Sequence, residues 1–149
     1  MGKAIGDTRR TRVNRNAEDE AAAGAAARST CNEGTLHGTY AGANHGVITE
    51  GDYKGPFAAA EFQWFDGNGN TEGVYSVNYN SRNIFRRDKF SGRYRVRADC
   101  TGTVTLTDGT EYDLFIDPDS SMFAWVQTEP PEYVVSGVEQ RVTRQRIGD

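Results

Sequence analysis

The sequence predicts an all-β protein whose main domain is a single closed antiparallel meander β-barrel of about eight strands. Three observations lead to this fold class. Strand-like runs recur about every ten residues, turn sequences rich in Gly, Asp and Asn separate them, and 17 glycines accompany a hydrophobic fraction of 36%. Such a composition is typical of turn-rich β proteins. An antiparallel meander of this size can close on itself, and closure removes its exposed edges.

The first 30 residues differ from the rest of the chain. A basic segment is followed by acidic residues and then by an alanine-rich run that ends at Arg28. Alanine favours a helix, but this run has no apolar stripe with which to dock. We therefore predict an extended, partly helical N-terminal arm (1–30), a barrel domain (31–143) and a C-terminal tail (144–149). The arm is either solvated or ordered against a neighbouring subunit.

The barrel domain contains nine strand-like segments. They cover residues 35–40, 57–65, 71–79, 83–90, 92–98, 101–107, 111–116, 122–128 and 133–142. The short Asp/Asn/Gly link at 66–70 predicts a hairpin between the second and third segments. The glycine-rich segment 41–55, which precedes Pro56, predicts a rim loop.

Composition argues against several classes of function. The formal net charge of −4 gives no overall attraction for nucleic acid, and no apolar run approaches the roughly 20 residues that span a membrane. His37 and His45 are the two histidines, no Cys-x-x-Cys motif is present, and neither histidine lies in a hydrolase motif. We therefore expect no general nucleic-acid binding, no membrane insertion and no metal site.

Two cysteines, Cys31 and Cys100, lie near the start and the middle of the barrel domain. A pair in a small β domain favours one disulfide, and with it a secreted or cell-surface location. Two reduced, buried cysteines in a cytosolic protein are the alternative. The N-terminal residues have no apolar core of the kind that a secretory signal needs, so the two indications conflict and the location stays open.

Candidate catalytic groups come from acids in apolar strands. Alternation in the segment 57–65 places Glu61 and Gln63 on one face and Phe62 and Trp64 on the other. If the first face lines the lumen, Glu61 is a carboxyl in an apolar cavity, where a raised pKa suits general acid–base chemistry. If that face is outside, Glu61 is an ordinary solubilising residue. The sequence leaves both alternatives open.

Two further acids occupy comparable positions. Glu139 lies on the last strand, which adjoins the first strand in a closed barrel, so Glu139 can meet Tyr40 or His37 across the seam. Asp113 shares a strand face with Glu111. The simplest interpretation of Asp113 is an acidic solvent face over an aliphatic core, and a lumenal ligand contact is the alternative.

A strand with three alternating arginines predicts a basic outer face. Arg93, Arg95 and Arg97 share one side of the segment 92–98. Such a face is either solvated and paired with acids on adjacent strands, or a docking patch for an acidic partner.

Several segments together resemble a known group of proteins. They are Cys-x4-Leu-x-Gly-Thr-Tyr at 31–40, Phe-Asp-Gly-Asn-Gly at 65–69, Gly-x-Tyr-x-Val-x2-Asp-Cys-Thr-Gly-Thr at 92–103, Gln-Thr at 127–128 and Ser-Gly-Val at 136–138. In these segments the chain resembles small, mostly exported bacterial β-barrel proteins related to the allene oxide cyclase barrels, and it is similar to pyocyanin demethylases. The resemblance covers about residues 31–143.

The resemblance implies an eight-stranded barrel in a homo-oligomer, with a trimer favoured. It also implies a lumen that holds a small apolar or aromatic molecule and acts on it without a cofactor, through carboxylates and bound water. Glu61 and Glu139 are the positions that match such catalytic acids. Candidate ligand-binding residues are Tyr40, Gln63, Tyr79 and Asp113.

These observations leave three hypotheses for the function. The first is a small-molecule-binding barrel, with a cofactor-independent enzyme as its more specific form. The second is a structural or assembly subunit, of the capsid-decoration or filament type, whose N-terminal arm contacts a neighbouring subunit. The third is an interaction domain that uses the arginine face. Because fold does not fix function, an open or a packed lumen is the observation that separates the first hypothesis from the others.

Overall fold

The computed structural model describes residues 30–147, and these residues form one closed barrel of eight antiparallel strands. Each strand pairs with the next, and the last pairs with the first, which confirms the predicted all-β closed meander. Apart from Thr30, the predicted arm lies outside the described residues. A 3-10 turn (Glu33–Thr35) precedes the strands, which are β1 (His37–Ile48), β2 (Gly55–Asp66), β3 (Asn70–Tyr79), β4 (Asn83–Val96), β5 (Thr101–Leu106), β6 (Glu111–Ile116), β7 (Met122–Glu129) and β8 (Tyr133–Thr143).

The first strand is longer than the sequence predicted. Residues 41–48, expected in a rim loop, continue β1 as far as Ile48. The glycines in this stretch mark close approaches to β8, because a Cβ on Gly42 would overlap Glu139 and a Cβ on Gly46 would lie 2.7 Å from the Cβ of Val135. Glycine in a strand marks such close approaches as well as turns, so the prediction of a loop was wrong here.

The fourth strand is likewise continuous where two strands were predicted. Gly92 lies inside β4, and a Cβ there would lie 2.8 Å from the backbone of Leu106 on β5. The β3–β4 ladder has one irregularity, between Tyr75 and Val77, and Arg87 on the facing strand has a φ of 52°. The nine predicted segments therefore merge into eight strands.

The predicted β2–β3 hairpin is confirmed. The carboxylate of Asp66 accepts hydrogen bonds from the backbone N–H groups of Asn68 (2.7 Å) and Asn70 (3.0 Å). Gly67 and Gly69 both adopt positive φ, which glycine tolerates without steric cost. The tight link fixes the register between the two strands.

Cys31 and Cys100 form a disulfide, with their Cα atoms 5.0 Å apart. The backbone N–H of Cys31 also donates to the carbonyl of Ala98, at 3.2 Å. Together these bonds tie the segment before β1 to the β4–β5 turn. Of the two alternatives left open by the sequence, the structure contains the disulfide.

At the end of the barrel that carries the β4–β5 turn, side chains fill the lumen. We call them the floor: Leu36, Tyr40, Phe65, Tyr94 and Phe123, all of them buried. The ring of Phe65 meets those of Tyr40, Tyr94 and Phe123 edge-on, at centroid distances of 5.5, 5.0 and 5.4 Å. Edge-to-face contacts of this kind are the preferred geometry of aromatic pairs. The Tyr94 hydroxyl donates to the Leu36 carbonyl at 3.0 Å, so the chain before β1 plugs this end of the barrel.

Candidate functional site

Above the floor the lumen is open. We call this space the chamber; its volume is about 440 Å³, and it reaches the end of the barrel that carries the β5–β6 and β7–β8 turns. Binding sites for small molecules have volumes of roughly 300–1,000 Å³. The aromatic residues that line the chamber are Phe57, Tyr75, Tyr79, Phe90, Tyr112, Phe123, Trp125 and Tyr133.

The inward face of β2, which the sequence left open, carries Glu61 and Gln63. Phe62 points the other way and is 41% exposed. The Gln63 amide is buried and donates to the Thr71 hydroxyl at 2.9 Å, and that hydroxyl donates in turn to the carbonyl of Trp64 at 2.8 Å. Both Glu61 and Gln63 line the chamber. The Gln63 amide is fixed by its hydrogen bond to β3, whereas Glu61 is only half-buried.

The third inward group is Glu139 on β8, which is 2% exposed. Gly42 on β1 pairs with Glu139 on β8 and with Glu61 on β2. Because Gly42 has no side chain, the two carboxyls meet across it, and a Cβ there would overlap Cγ of Glu139. Glu139 thus lies beside Glu61, and not opposite Tyr40 or His37 as expected from the sequence. We call Glu61 and Glu139 the acid pair.

Burial and mutual contact change the acidity of the pair. Burial raises the pKa of Glu61. The hydrogen bond to Glu139 lowers this pKa, but by less than burial raises it. Burial raises the pKa of Glu139 well above its ordinary value, and the charge of Glu61 raises it further. Two carboxyls can hydrogen bond to each other only if one of them carries a proton, and like charges in contact disfavour double ionisation. This geometry favours one proton shared by the two carboxyls.

Neutral donors surround the acid pair. The Asn44 amide donates to Glu61 Oε1 at 3.5 Å, and a hydrogen bond from the Trp125 indole lowers the pKa of Glu139. The indole fits because residue 137 is glycine, where a Cβ would lie 2.8 Å from a carbon of the Trp125 ring. Tyr112 packs edge-on against Trp125 at 4.9 Å; burial and the charge of Glu61 both raise the pKa of its hydroxyl.

The opening of the chamber is surrounded by aromatic rings. We call this group the aromatic mouth: Tyr53, Phe57, Tyr79, Phe85 and Tyr133. Tyr53 and Tyr79 are 4.7 Å apart, and Phe57 meets Tyr133 at 6.3 Å. Burial raises the pKa of the Tyr79 hydroxyl, which keeps it neutral at physiological pH. Of these five residues, Phe57, Tyr79 and Tyr133 line the chamber, and Tyr53 and Phe85 pack against Tyr79.

The other two candidate ligand residues lie outside the chamber. Tyr40 belongs to the floor, where its hydroxyl donates to the carbonyl of Ser120 at 2.6 Å. Asp113 is exposed on the outer face of β6, opposite the buried Leu114 side, as in the solvent-face alternative. The structure therefore brings together Glu61, Gln63, Tyr79 and Glu139 in one cavity and places Tyr40 and Asp113 elsewhere.

Sequence reasoning missed Gly42, the residue that brings the two acids together. It was assigned to a loop because Gly42 and Gly46 were interpreted as turn residues. The available signal was the alternation of Tyr40, Gly42 and Asn44, which puts all three on one strand face. Nothing local in the sequence indicates the contact between Trp125 and Glu139.

Comparison with protein families, curated proteins and solved structures finds no match to this chain. Within residues 30–147, no group of three or more His, Cys, Asp or Glu side chains is arranged to hold a metal ion. No helix in that range is long and apolar enough to cross a membrane. The geometry of the chamber therefore carries the functional interpretation.

Proposed function

We propose that this protein binds a small molecule in the chamber and acts on it as a cofactor-independent enzyme through the acid pair. The observation that carries the proposal is the meeting of Glu61 and Glu139 inside a buried, aromatic-walled cavity. Removing carboxyls from water costs free energy, and acids with perturbed pKa values in a cleft are frequent at functional sites. The resemblance to allene oxide cyclase-like barrels supports the same assignment.

The chemistry proposed for the acid pair is proton transfer. A carboxyl with a raised pKa is a stronger base than an ordinary one, so the pair suits a general base that takes a proton from the bound ligand near neutral pH. Glu61 faces the cavity more openly than Glu139. A ligand that enters the chamber therefore meets Glu61 first, with Glu139 beside it. Aromatic side chains on the wall suit an apolar or ring-bearing ligand.

The test is a calorimetric screen of planar aromatic compounds against the wild type and two variants. Ala59 lies on the chamber wall, so Ala59→Phe fills part of the chamber and should weaken binding by at least about tenfold. Glu61→Gln keeps the shape of the site but removes one carboxyl of the acid pair, and it should abolish turnover. If Ala59→Phe leaves the affinity of every ligand found unchanged, or if the screen yields no ligand, the proposal fails.

We further propose that the barrel forms a closed ring of copies, with a trimer favoured. Directly paired outward residues from β2, β1, β8, β7 and β6 make a row that we call the apolar wall: Ala60, Ala43, Val138, Ala124 and Phe115. Phe115 is 58% and Val138 48% exposed. The arginines of the predicted basic face, Arg93 and Arg95, lie on β4, outside this row.

The extent of the apolar wall favours a ring over a dimer. Five strands spaced about 4.8 Å apart span roughly 19 Å from the first strand to the last, an extent in keeping with an interface of standard size, which buries about 800 Å² on each partner. Five of the eight strands also cover more than half of the barrel circumference. One neighbour contacts only part of such a curved surface, whereas two neighbours in a cyclic assembly cover both sides of it.

Light scattering after gel filtration tests the ring. Val138→Lys places a charge in the centre of the apolar wall and should convert the assembly into monomers. Thr105→Lys, an exposed position on β5, is the matched control and should leave the mass unchanged. A monomeric wild type, or equal behaviour of the two variants, would overturn the ring.

A further inference from the structure

We propose that the ligand of the chamber is an organic cation, an aromatic amine or ammonium compound whose positive charge lies at the acid pair. The inference rests on the proposed function and specifies its ligand class. It follows from the charges, the unpartnered acceptor and the ring faces around Glu61 and Glu139.

The acid pair has no positively charged partner among residues 30–147. The salt bridge found in that range joins Arg146 to Glu72, away from the chamber lining. Lys89 is the cationic residue among those that line the chamber. It is exposed, and it lies on the part of β4 that does not pair with β5. The groups that touch the acids are neutral. A bound cation supplies the opposite charge that the protein does not place there.

One acceptor atom of the pair is also unpartnered. Glu139 Oε2 is buried and has no hydrogen-bond partner in the described part of the chain. A buried acceptor without a donor is costly, and an ammonium group is a strong donor to carboxylates because the bond is charge-assisted. Gly42 and Gly137 place no side chain beside the acids, which leaves room there for a ligand group.

The remaining wall near the acids is aromatic. Tyr75 lies opposite Glu61 in the β2–β3 register, and Tyr112 and Trp125 flank the pair from β6 and β7. Aromatic faces attract cations through the ring quadrupole, most strongly where water is excluded. Two carboxyls surrounded by aromatic rings therefore recognise the charge and the apolar body of one ligand together.

Binding of a cation changes the protonation of the pair without any covalent step. Before binding, the two carboxyls share one proton and carry one negative charge between them. A positive charge beside them favours the fully ionised form, so the shared proton passes to solvent as the ligand binds. The other titratable or charged residues that line the chamber are Tyr75, Tyr79, Tyr112, Tyr133, Asp108 and Lys89. Burial raises the pKa of the four tyrosines, which stay neutral, and Asp108 and Lys89 are exposed.

Three indole compounds that share a ring and differ in charge test the inference by calorimetry: tryptamine (cation), tryptophol (neutral alcohol) and indole-3-acetate (anion). We expect tryptamine to bind at least about tenfold more tightly than tryptophol at neutral pH, with the acetate weakest. Tryptamine affinity should rise as the pH is raised through neutrality, because the cation binds the ionised pair. Buffers with different ionisation enthalpies should report proton release with tryptamine and none with tryptophol.

Variants link the charge preference to the pair. Glu139→Gln should lower tryptamine affinity by at least about tenfold while changing tryptophol affinity by no more than about twofold. Asp113→Asn removes the same charge from the outer face and should change neither affinity. Glu61→Gln provides a second test if Glu139→Gln does not fold.

The outcomes separate this inference from the proposed function. If tryptamine and tryptophol bind the wild type equally well, the cation inference fails. The proposal that the chamber binds a small molecule would stand, with a neutral ligand in place of a cation. Equal losses in Glu139→Gln and Asp113→Asn would overturn the cation inference too, because the effect would then come from overall charge. If none of the three compounds binds, the cation inference fails, and the Ala59→Phe screen decides the proposed function separately.

Discussion

The floor and the chamber are two parts of one lumen, formed by the same eight strands with the same alternation, yet one is packed and the other is open. In the floor the inward positions carry large rings, such as Tyr40 on β1 and Phe65 on β2. Two positions further along β1, and six back along β2, the inward residues are Gly42 and Ala59. The size of the inward side chains, and not the strand pattern, decides where the lumen of a barrel of this diameter is packed and where it is open.

The two parts also differ in what they contribute to stability. In the floor the tyrosine hydroxyls are satisfied by backbone oxygens; that of Tyr94, for instance, shares its one hydrogen between the carbonyls of Glu33 (2.8 Å) and Leu36 (3.0 Å). In the chamber Glu139 is buried and its Oε2 lacks a donor, and Glu61 is half-buried beside it. The floor therefore stabilises the fold, while the acids of the chamber lower its stability.

The largest expected effect comes from emptying the floor. Phe65→Ala removes the ring that contacts three other floor rings, and it should lower the free energy of unfolding by about 3–4 kcal/mol. Tyr133→Ala removes a half-buried ring at the mouth and should cost about 1–2 kcal/mol, because the lost contacts are fewer and solvent already reaches the site. Urea denaturation of both variants measures the difference. Equal losses would mean that the floor is not the main source of stability.

A smaller effect is expected from closing the gap between the acids. In Gly42→Ala the new Cβ overlaps Cγ of Glu139, so the variant should lose about 2 kcal/mol of unfolding free energy and separate the carboxyls. In a Glu139→Ala background the same substitution meets no such side chain, although the nearby Val138 carbonyl remains. Denaturation of all four proteins in a double-mutant cycle should give a coupling of at least about 1 kcal/mol. Additive losses would show that Gly42 is not what brings the pair together.

Most of the fold could be predicted from local sequence, because alternation and turn residues are local signals. β6, for example, has the predicted bounds, and the Asp66 hairpin forms where expected. The errors fell at glycines inside strands. Gly42 and Gly92 have the composition signal of a turn, but they lie where a neighbouring strand approaches closely, and that approach depends on tertiary pairing.

The candidate site could be predicted only in part. Glu61 and Glu139 stood out as acids in apolar strands, which is a local signal. Their contact depends on the register of two separate ladders that share Gly42, and register across the barrel seam involves residues about 100 positions apart. The chamber volume depends on the sum of inward side-chain sizes around all eight strands. Neither quantity is present in any single segment.

The smallest expected effect is a change in the pH dependence of stability. Both acids have a raised pKa in the folded state, so the folded protein binds protons more tightly than the unfolded chain does. Stability contributed by the protonated pair is therefore present at low pH and is lost as the pH rises from the unfolded pKa through the folded pKa. In the floor no acid is buried, so this dependence belongs to the chamber.

Glu139→Gln tests this dependence directly, because it removes the acid with the larger pKa increase. Between about pH 5 and about pH 8 the wild type should lose about 1 kcal/mol more unfolding free energy than Glu139→Gln does. Asp113→Asn, which changes an exposed acid on the outer face, should keep the wild-type slope. Urea denaturation of the three proteins at both pH values measures the slopes. If raising the pH instead stabilises the wild type relative to Glu139→Gln, ionisation of the acid pair costs the folded protein no free energy. The acids of the chamber would then not lower the stability of the fold.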